Sequence, residues 1–552
     1  MTRSTTCGVL GLFFHRLLSL TPRLLFATAA LVLLLVLMFS IYPFTGIIDN
    51  FDAFYYIKSY REETADSSGT KPNIVFILAD DYGWNDIGYH GSLIQTPNLD
   101  SLATEGVKLE NYYVQPICTP SRCQLMTGRY QIHYGLQHGA ISPPQPSGLP
   151  LSEITIAERL KESGYSTHIV GKWHLGFYKK EYTPTYRGFD TFYGFYNGAG
   201  DYYTHRRTGA MPSIPTRPKW DGHDLRDQEK PVFDQNGTYS TYLFAKKTSE
   251  IISRHDRNKP LFLYLPFQAV HSPLQAPVKY IEMNSHINDT RRRLYAALTS
   301  AMDEAVANIT IALKQKGLWK NTILIFSTDN GGWPKSGGNN WPLRGAKGGL
   351  WEGGVRGVGF VSSPLLKKKG RTSDALIHIS DWFPTLVGLA GGSLKETKSL
   401  DGYDVWKAIS EGKSSSRKEI LHNIDPLFRT LNKWPGDNWY DKIFNTSVHA
   451  AIRSGDWKLL TGIPGKGYWL PPPSSKKPIE NPKDQADKML RLFNIRQDPQ
   501  ERTDLSESYP LIVQELLEKL SAYNQTAISP FYPDGDPRAN PALHGGLWSP
   551  WE

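Results

Sequence analysis

The sequence predicts an α/β fold: a mostly parallel central sheet flanked by helices, followed by a smaller C-terminal domain on an antiparallel sheet. Short apolar runs typical of buried strands recur along the chain: NIVFILADD from Asn73, STHIVG, LFLYLPF, TILIFSTDN and GVGFVSS. Segments with apolar residues at helical spacing lie between these runs, most clearly Arg291–Lys316. After the polar stretch Glu411–Glu419, AAIRSGDWKLLTG and MLRLFNI resemble strands and YPLIVQELLEKLSAYN a terminal helix. We therefore predict a catalytic domain at 71–418 and a C-terminal subdomain at 419–552.

The N-terminal residues carry a predicted membrane segment. Leu24–Tyr42 is an uncharged apolar run of 19 residues. As a helix it would be ~28 Å long, close to the ~30 Å hydrocarbon core of a bilayer. Arg3, Arg16 and Arg23 precede it without an acidic residue, so the positive-inside rule places the N-terminus in the cytosol. We predict a cytosolic segment (1–23), a transmembrane signal anchor (24–44) and a polar stem (45–70).

A cleaved signal peptide is the alternative for the same run. No small-x-small cleavage site follows it, and the run is long for a signal peptide. The anchor predicts a type II membrane protein, and cleavage predicts a secreted or lysosomal one. Both place most of the chain in the lumen of the secretory pathway.

The sequons and the cysteines bear on this location. Five N-x-S/T sequons agree with a lumenal chain and are the predicted glycosylation sites: Asn236, Asn288, Asn308, Asn445 and Asn524. Of the three cysteines, Cys7 precedes the apolar run and only Cys118 and Cys123 are lumenal. A disulfide framework of the kind common in lumenal proteins is therefore not expected.

The composition limits the class of protein. With 552 residues, 40% hydrophobic and 21% charged, the chain is globular and long enough for more than one domain. Its net charge of +9 suits an acidic partner or substrate, and a dispersed basic surface would give the same total. Zinc-finger spacing, RNA-binding signatures and basic helices are absent from the sequence, so no nucleic-acid partner is expected.

Polar side chains follow two of the predicted strands. Asp80 and Asp81 end NIVFILADD, and Asp329 and Asn330 end TILIFSTDN. Ligands of parallel sheets bind at the carboxyl ends of strands. Three carboxylates and an amide oxygen suit a hard cation, Ca²⁺ or Mg²⁺. Either pair alone is more often a turn or a helix cap.

The stretch CTPSRCQLMTGR, Cys118 to Arg129, carries both lumenal cysteines. Thr119 is a good N-cap and Pro120 suits the first helical position, so a helix is predicted to begin there. Cys118 would then lie just before the positive end of the helix, with Arg122 in the first turn.

Four interpretations of this stretch are open. A disulfide between Cys118 and Cys123 would have to bridge Cα atoms expected to exceed the ~7 Å limit. A zinc site lacks Cys and His partners at suitable spacing. A thiol phosphatase would use the C-x5-R spacing from Cys123 to Arg129, but QLMTG is not a glycine-rich phosphate loop. The fourth is that Cys118 is the precursor of another group.

The fourth interpretation is supported by a resemblance to a known protein family. CTPSRCQLMTGR resembles the sulfatase signature C-x-P-S-R-x-x-x-x-T-G-R, and GYSTHIVGKWHLG resembles a second motif of that family. The resemblance runs from about Asn73 to the C-terminal helix. Arylsulfatases of types B, I and J share the most, through VQPICTPSR, GGNNWPLRGAKGGLWEGGVRG and LHNIDP. Those relatives carry further lumenal cysteines that this chain lacks.

The resemblance implies an alkaline-phosphatase-like fold and a modified cysteine. In that family the signature cysteine, here Cys118, is oxidised to the aldehyde formylglycine by a formylglycine-generating enzyme. The hydrated aldehyde offers one hydroxyl to attack sulfur and a second whose deprotonation expels sulfate. The resemblance also implies a bound calcium ion, with ligands at the matching positions Asp80, Asp81, Cys118, Asp329 and Asn330.

Further site residues follow from the same resemblance. Lys172 and His174 alternate in GKWHLG, which would place them on one side of an extended segment. The resemblance gives Lys172 a contact with the aldehyde and sulfate, and gives His174 the proton that allows elimination. Either His271 or Lys347 would protonate the leaving oxygen, and Arg122 would stabilise the nucleophile. In isolation, such a Lys and His are more often a surface residue and a packed one.

The sequence thus predicts a sulfuric ester hydrolase, whose substrate is a sulfated small molecule with an aryl alcohol or a sulfated glycan. Two alternatives stay open. One is a phosphate or phosphonate ester hydrolase on the same fold. The other is a catalytically silent glycan-binding protein, which would keep Cys118 as a thiol.

Overall fold

The structure is a computed structural model that describes residues 71–209, 219–428, 439–475, 477–482 and 488–552. The predicted cytosolic segment, signal anchor and stem (1–70) lie outside these residues. None of the helices in the described ranges is both long and apolar enough to cross a membrane.

Within the described residues, a ten-stranded sheet forms the centre of the molecule. Its strand order is β13-β2-β12-β11-β1-β10-β4-β5-β8-β9. The strands are β1 (Asn73–Ala79), β2 (Val107–Leu109), β4 (Ser166–Lys172), β5 (Thr191–Phe195), β8 (Arg226–Asp227), β9 (Lys230–Pro231), β10 (Leu261–Pro266), β11 (Thr322–Thr328), β12 (Gly359–Ser362) and β13 (Arg371–Ser373). Short two-stranded ladders join β3 (Tyr112–Tyr113) to β14 (Ile377–His378) and β6 (Arg206–Gly209) to β7 (Trp220–His223).

The five middle strands β11, β1, β10, β4 and β5 are all parallel. Every residue of β1 is buried, and its alternate side chains enter two different apolar cores. Val75 and Ile77 pack on one side of the sheet, and Ile74 and Phe76 on the other. This two-sided burial explains the uninterrupted apolar run in the sequence.

Helices cover both faces of the sheet, as predicted. They are α1 (Pro97–Glu105), α2 (Cys118–Thr127), α3 (Ile156–Glu162), α4 (Ser240–Arg254), α5 (Val278–Met283), α6 (Thr290–Gln315), α7 (Glu352–Val355), α8 (Trp382–Leu389), α9 (Trp406–Glu411) and α10 (Pro510–Thr526). The long helix α6 matches the predicted Arg291–Lys316, and Asp289 caps it by accepting a hydrogen bond from the Arg292 amide.

The C-terminal part forms a four-stranded antiparallel sheet in the described residues, as predicted. Its strands, in spatial order, are β15 (Glu419–Asp425), β16 (His449–Ser454), β17 (Trp457–Thr461) and β18 (Leu490–Asn494), and α10 packs against them. A buried ion cluster links this sheet to helix α7: Lys458 Nζ lies 2.8 Å from Glu352 Oε1 and 2.9 Å from Glu501 Oε1.

The tail after α10 returns to the two-stranded β6–β7 ladder. Trp548 is fully buried, and its backbone pairs with His223 of β7. The Trp-rich end of the chain is therefore part of the folded core rather than a loose extension.

Candidate active site

One edge of the sheet gathers the polar residues that the sequence singled out. Asp80 and Asp81 follow β1, and Asp329 and Asn330 follow β11. Lys172 is the last residue of β4, and His174 lies two residues after it. His271 comes after the end of β10. Helix α2 brings Cys118 and Arg122, and the glycine-rich segment before α7 brings Lys347. Because the strands are parallel, their carboxyl ends meet here.

The centre of the site is a set of buried anionic groups. Ligand atoms of Asp80, Asp81, Cys118 and Asp329 all lie within 4.8 Å of one another. A buried carboxylate is costly unless a cation accompanies it. The three carboxylates therefore require partners.

Three buried cations supply them, each from a different element. Lys172 Nζ lies 2.5 Å from Asp80 Oδ2, and Lys347 Nζ lies 2.5 Å from Asp81 Oδ1. Arg122 Nη2 lies 2.8 Å from Asp329 Oδ2 and 3.5 Å from Asp80 Oδ2. All three of the cationic groups are largely or fully shielded from solvent.

These pairs set the protonation states. Burial raises the pKa of Asp80, but the charges of Lys172, His271 and Arg122 together outweigh burial, so the pKa of Asp80 is lowered. Burial likewise raises the pKa of Asp81, but Lys347 and His271 together outweigh burial, so the pKa of Asp81 is also lowered. Both carboxylates are thus ionised at neutral pH, as metal ligands must be.

The thiols of Cys118 and Cys123, unlike these carboxylates, are held in the protonated form. Burial and the charge of Asp80 raise the pKa of Cys118 to about 12, with its Sγ 3.6 Å from Asp80 Oδ1 and 3.6 Å from Lys347 Nζ. Burial also raises the pKa of Cys123. Within the described residues both cysteines are free, and Arg129 pairs with Glu153 at 2.7 Å. In the part of the chain that the structure describes, Cys118 and Cys123 therefore form neither a disulfide nor a thiolate–arginine phosphatase loop.

The start of helix α2 differs from the prediction. The helix begins at Cys118 with Ile117 as its N-cap, not at Thr119 and Pro120. The Thr119 hydroxyl is used elsewhere: it donates to the His174 carbonyl oxygen at 3.2 Å and accepts from the Ile141 amide at 3.1 Å. The tertiary contacts of Thr119 thus replace its predicted capping role.

The loop after β11 offers a further ligand atom. Asn330 Nδ2 donates to Asp81 Oδ1 at 2.8 Å, while Asn330 Oδ1 is buried without a hydrogen-bond partner among the described residues. Asp81 itself adopts a left-handed backbone with φ of 58°. An unsatisfied buried oxygen beside three carboxylates is the donor set that a divalent cation takes. The residues therefore fit a divalent metal.

His174 does not lie on an extended segment with Lys172, as the sequence suggested, because its backbone is left-handed with φ of 59°. Its ring nevertheless reaches the site. Nε2 must donate to the Ile141 carbonyl oxygen at 2.9 Å, so Nδ1 carries the lone pair and finds no partner among the described residues. Burial and the charge of Lys172 lower the pKa of His174, which keeps the ring neutral.

His271 is held in the opposite tautomer. Nδ1 donates to the Ser272 carbonyl oxygen at 2.6 Å, and Nε2 lies 3.7 Å from Asp81 Oδ2. Burial lowers the pKa of His271, and the charge of Asp81 opposes this shift. Its Nε2 is thus free to exchange a proton beside the carboxylate cluster.

Sequence reasoning missed two residues that build the site. The Ser121 hydroxyl donates to the Asp329 carbonyl oxygen and accepts from the Gln115 amide at 2.8 Å, which locks α2 onto the loop after β11. Gly198 lies against the His174 ring: a Cβ there would be 2.6 Å from His174 Cε1. Ser121 was inside the quoted motif, whereas Gly198 had no local signal beyond the small residues of NGAG.

Comparisons with known proteins agree with this geometry. The family model described as Sulfatase matches residues 72–393. Arylsulfatase J of Mus musculus is 53% identical over 498 residues, covering 89% of this chain and 82% of that protein. N-acetylgalactosamine-6-sulfatase of Homo sapiens is 30% identical over 450 residues, covering 79% of this chain and 81% of that protein. The crystal structure of Ps i-CgsB in complex with k-i-k-neocarrahexaose is 28% identical with a TM-score of 0.70, covering 86% of this chain and 98% of that one.

A parallel sheet with buried carboxylates and cations at its carboxyl edge is the architecture of an α/β enzyme, here of the alkaline-phosphatase-like kind. The chain belongs to the sulfatase family. The predicted fold, family and enzyme class, a sulfuric ester hydrolase of arylsulfatase type, are thereby confirmed.

The contact between Gly198 and the His174 ring predicts a specific loss. Gly198→Ala should lower kcat for sulfate ester hydrolysis on the order of 100-fold, because the added Cβ displaces the ring from its bond to the Ile141 carbonyl. Gly139→Ala is the matched control, since its Cβ meets only Tyr532 at 3.5 Å. Equal kcat in both variants, measured with an aryl sulfate, would show that the ring position does not matter.

Proposed function

We propose that this protein hydrolyses the sulfate ester of a sulfated glycan or aryl alcohol, through formylglycine made from Cys118 and a bound calcium ion. The single observation that carries this proposal is the position of Cys118, neutral and buried among three carboxylates and three cations. The similar proteins include one named for N-acetylgalactosamine 6-sulfate and one crystallised with neocarrahexaose, which favours a glycan.

The metal would be held by the oxygens of Asp80, Asp81, Asp329 and Asn330, together with the group derived from Cys118. Oxygen donors from four side chains with one further ligand suit calcium, which tolerates irregular shells better than magnesium does. When bound, the ion would supply positive charge for the sulfate oxygens.

Formylglycine, as its hydrate, would supply two hydroxyls on one carbon, one to attack sulfur and one to let the aldehyde re-form as sulfate leaves. Cys118 as a thiol is poorly suited to attack, because its raised pKa keeps it protonated. Modification therefore gives this position a role that the thiol lacks. A formylglycine-generating enzyme in the secretory pathway is the partner that this requires.

His174 is the proposed base at residue 118. Its neutral ring, with the lone pair on Nδ1 and Nε2–H anchored to Ile141, can accept a proton without turning. Lys172 and Arg122 would bind and orient the sulfate while they remain paired with Asp80 and Asp329.

His271 is the proposed acid for the leaving alcohol. Protonated Nε2 would be stabilised by Asp81 and could pass its proton to the departing oxygen. Lys347, 2.5 Å from Asp81, would support the same side of the substrate with its charge.

The lumenal location and membrane anchor remain proposals from the sequence. All five predicted glycosylation sites are exposed, which suits attachment of glycans: Asn236, Asn288, Asn308, Asn445 and Asn524. We propose a protein of the secretory pathway lumen, anchored as a type II membrane protein or, after cleavage, secreted or lysosomal.

The mass of the tryptic peptide Leu109–Arg122 tests the central step. In protein made by secretory cells, Cys118 should have lost the mass that separates a thiol from an aldehyde, and turnover of an aryl sulfate should scale with that fraction. Cys123, buried and at a variable position of the signature, is the internal control, and the next tryptic peptide, Cys123–Arg129, should be unmodified. Active protein with an intact Cys118 thiol would exclude the formylglycine mechanism.

Asp329→Asn tests the metal site. The loss of one anionic ligand should weaken calcium binding by roughly 100-fold or more and abolish turnover. Asp381→Asn is the matched control, because Asp381 also pairs with a buried arginine, Arg417, away from the site. Calorimetry on chelator-treated protein, with magnesium in parallel, measures the effect. If both variants bind calcium alike, or if chelation leaves turnover intact, the ligand assignment is wrong.

His271→Ala tests the proposed acid. The kcat/KM for a sulfate ester of a simple alcohol should fall about 10²- to 10⁴-fold, and far less for a nitrophenyl sulfate, whose oxygen departs without a proton. His138→Ala, at a histidine paired with Asp425 instead, is the control. The same loss on both leaving groups would remove His271 from this role.

A further inference from the structure

The strand β6 has one solvent face and one face toward the active site. Arg206 and Thr208 are exposed, and both contact Asp221 on the partner strand β7. Side chains alternate along a strand, so Arg207 and Gly209 share the other face. That face is the buried one, with Gly209 fully enclosed and Arg207 partly buried.

The inner face of β6 lies beside the residues that hold His174. A Cβ on Gly209 would be 2.9 Å from Pro143, two residues after Ile141, whose carbonyl oxygen fixes the His174 ring. On the other flank, the Asp201 amide donates to the Arg206 carbonyl oxygen at 2.8 Å, which ties β6 to the segment of Gly198. Arg207 is thus carried on the wall of the catalytic centre.

The Arg207 guanidinium has no partner among the described residues. Its Nε is buried and makes no hydrogen bond, and none of its nitrogens forms an ion pair there. Asp224 acts on the charge of Arg207, but its oxygens accept from the amides of Tyr196 and Asn197 and from Asn197 Nδ2. By contrast, the buried Arg122 and Arg417 form ion pairs with Asp329 and Asp381. An unpaired, partly buried cation is costly, so an anion is expected to complete it.

The chain holds this arginine in place through its C-terminal tail. Trp548 Nε1 donates to the Arg207 carbonyl oxygen at 2.7 Å, and the Trp548 ring lies against Gly209 and Gly222. Backbone hydrogen bonds between His223 and both Gly546 and Trp548 extend the same contact. These contacts fix the backbone from which the Arg207 side chain extends, which lowers the entropic cost of ordering this segment around a ligand.

The electrostatics agree with this position. The charge of Arg207 contributes to lowering the pKa of His174, and burial lowers the pKa of Arg207 itself. The Arg207 charge is therefore felt in the catalytic centre.

We propose that Arg207 binds a second anionic group of the substrate, a carboxylate or an additional sulfate on the sugar next to the scissile ester. The proposal rests on the proposed function. In the proposed function the scissile sulfate already has Lys172 and Arg122, and Lys347 supports the leaving alcohol, so Arg207 serves a different group. A guanidinium presents two parallel donors, which match a carboxylate or sulfate.

Inhibition of aryl sulfate turnover tests this, because it measures binding whether or not the inhibitor is cleaved. The probes are a disaccharide of glucuronate and N-acetylgalactosamine 6-sulfate, its 4-sulfate isomer, the methyl uronate ester of each, and N-acetylgalactosamine 4,6-disulfate beside the monosulfates. Wild-type enzyme should bind the probe that carries the second anionic group roughly 10- to 100-fold tighter than the matched probe that lacks it. The pair with the larger ratio identifies the carboxylate or the second sulfate as the ligand.

Variants assign the effect to Arg207. In Arg207→Gln that ratio should fall to about one, and in Arg207→Lys it should be intermediate, because the charge remains without the paired donors. Arg206→Gln, on the opposite face of the same strand, should keep the wild-type ratio. The lysine variant retains a test if the glutamine variant does not fold.

The outcomes separate this inference from the proposed function. Wild-type ratios near one for every pair, or a ratio unchanged in Arg207→Gln, would overturn the role of Arg207. An equal loss of affinity for the monoanionic aryl sulfate and for both members of each pair would also overturn it. If wild-type protein hydrolyses neither the aryl sulfate nor the sulfated sugars, the proposed function fails; calorimetry with the same probes then decides the role of Arg207 independently.

Discussion

The fold depends on neutralising three carboxylates in one buried place. Asp80, Asp81 and Asp329 would repel one another strongly without counter-charges, since Coulomb energies are large where water is excluded. Lys172, Lys347 and Arg122 match them in number, and each comes from a different element of the fold. The sheet edge, helix α2 and the glycine-rich segment are thus held together by the same charges that make the site. A divalent cation added to this balanced cluster would leave it positive, which suits an anionic sulfate ester.

This arrangement requires unusual backbone. Asp81 and His174 both have left-handed conformations, which are uncommon for residues with a Cβ, and both carry side chains of the site. Tight contacts beside them allow only glycine, as at Gly198. The site therefore keeps local strain that the surrounding sheet stabilises.

The sequence predicted the parts of the site that have local signatures. The apolar runs of β1 and β11 predicted buried parallel strands, and the polar residues at the ends of these strands lie close together as expected. The start of α2 was misplaced because Thr119 bonds to residues 141 and 174, contacts that no local pattern contains. Arg207 was missed for a similar reason. Its guanidinium has no partner among the described residues, and only the three-dimensional structure shows this.

The chemistry and the substrate recognition draw on different parts of the chain. The charged cluster comes from strand ends and one helix, all within motifs that resemble those of other sulfatases. The wall that carries Arg207 is instead fixed by a hairpin and by a tail more than 300 residues later, where Trp548 bonds to the Arg207 carbonyl oxygen. The proposed role of Arg207 implies that changes in the hairpin or tail alter the binding of the second anionic group without disturbing the buried charges. Such a division lets one catalytic centre serve substrates that differ in their second anionic group.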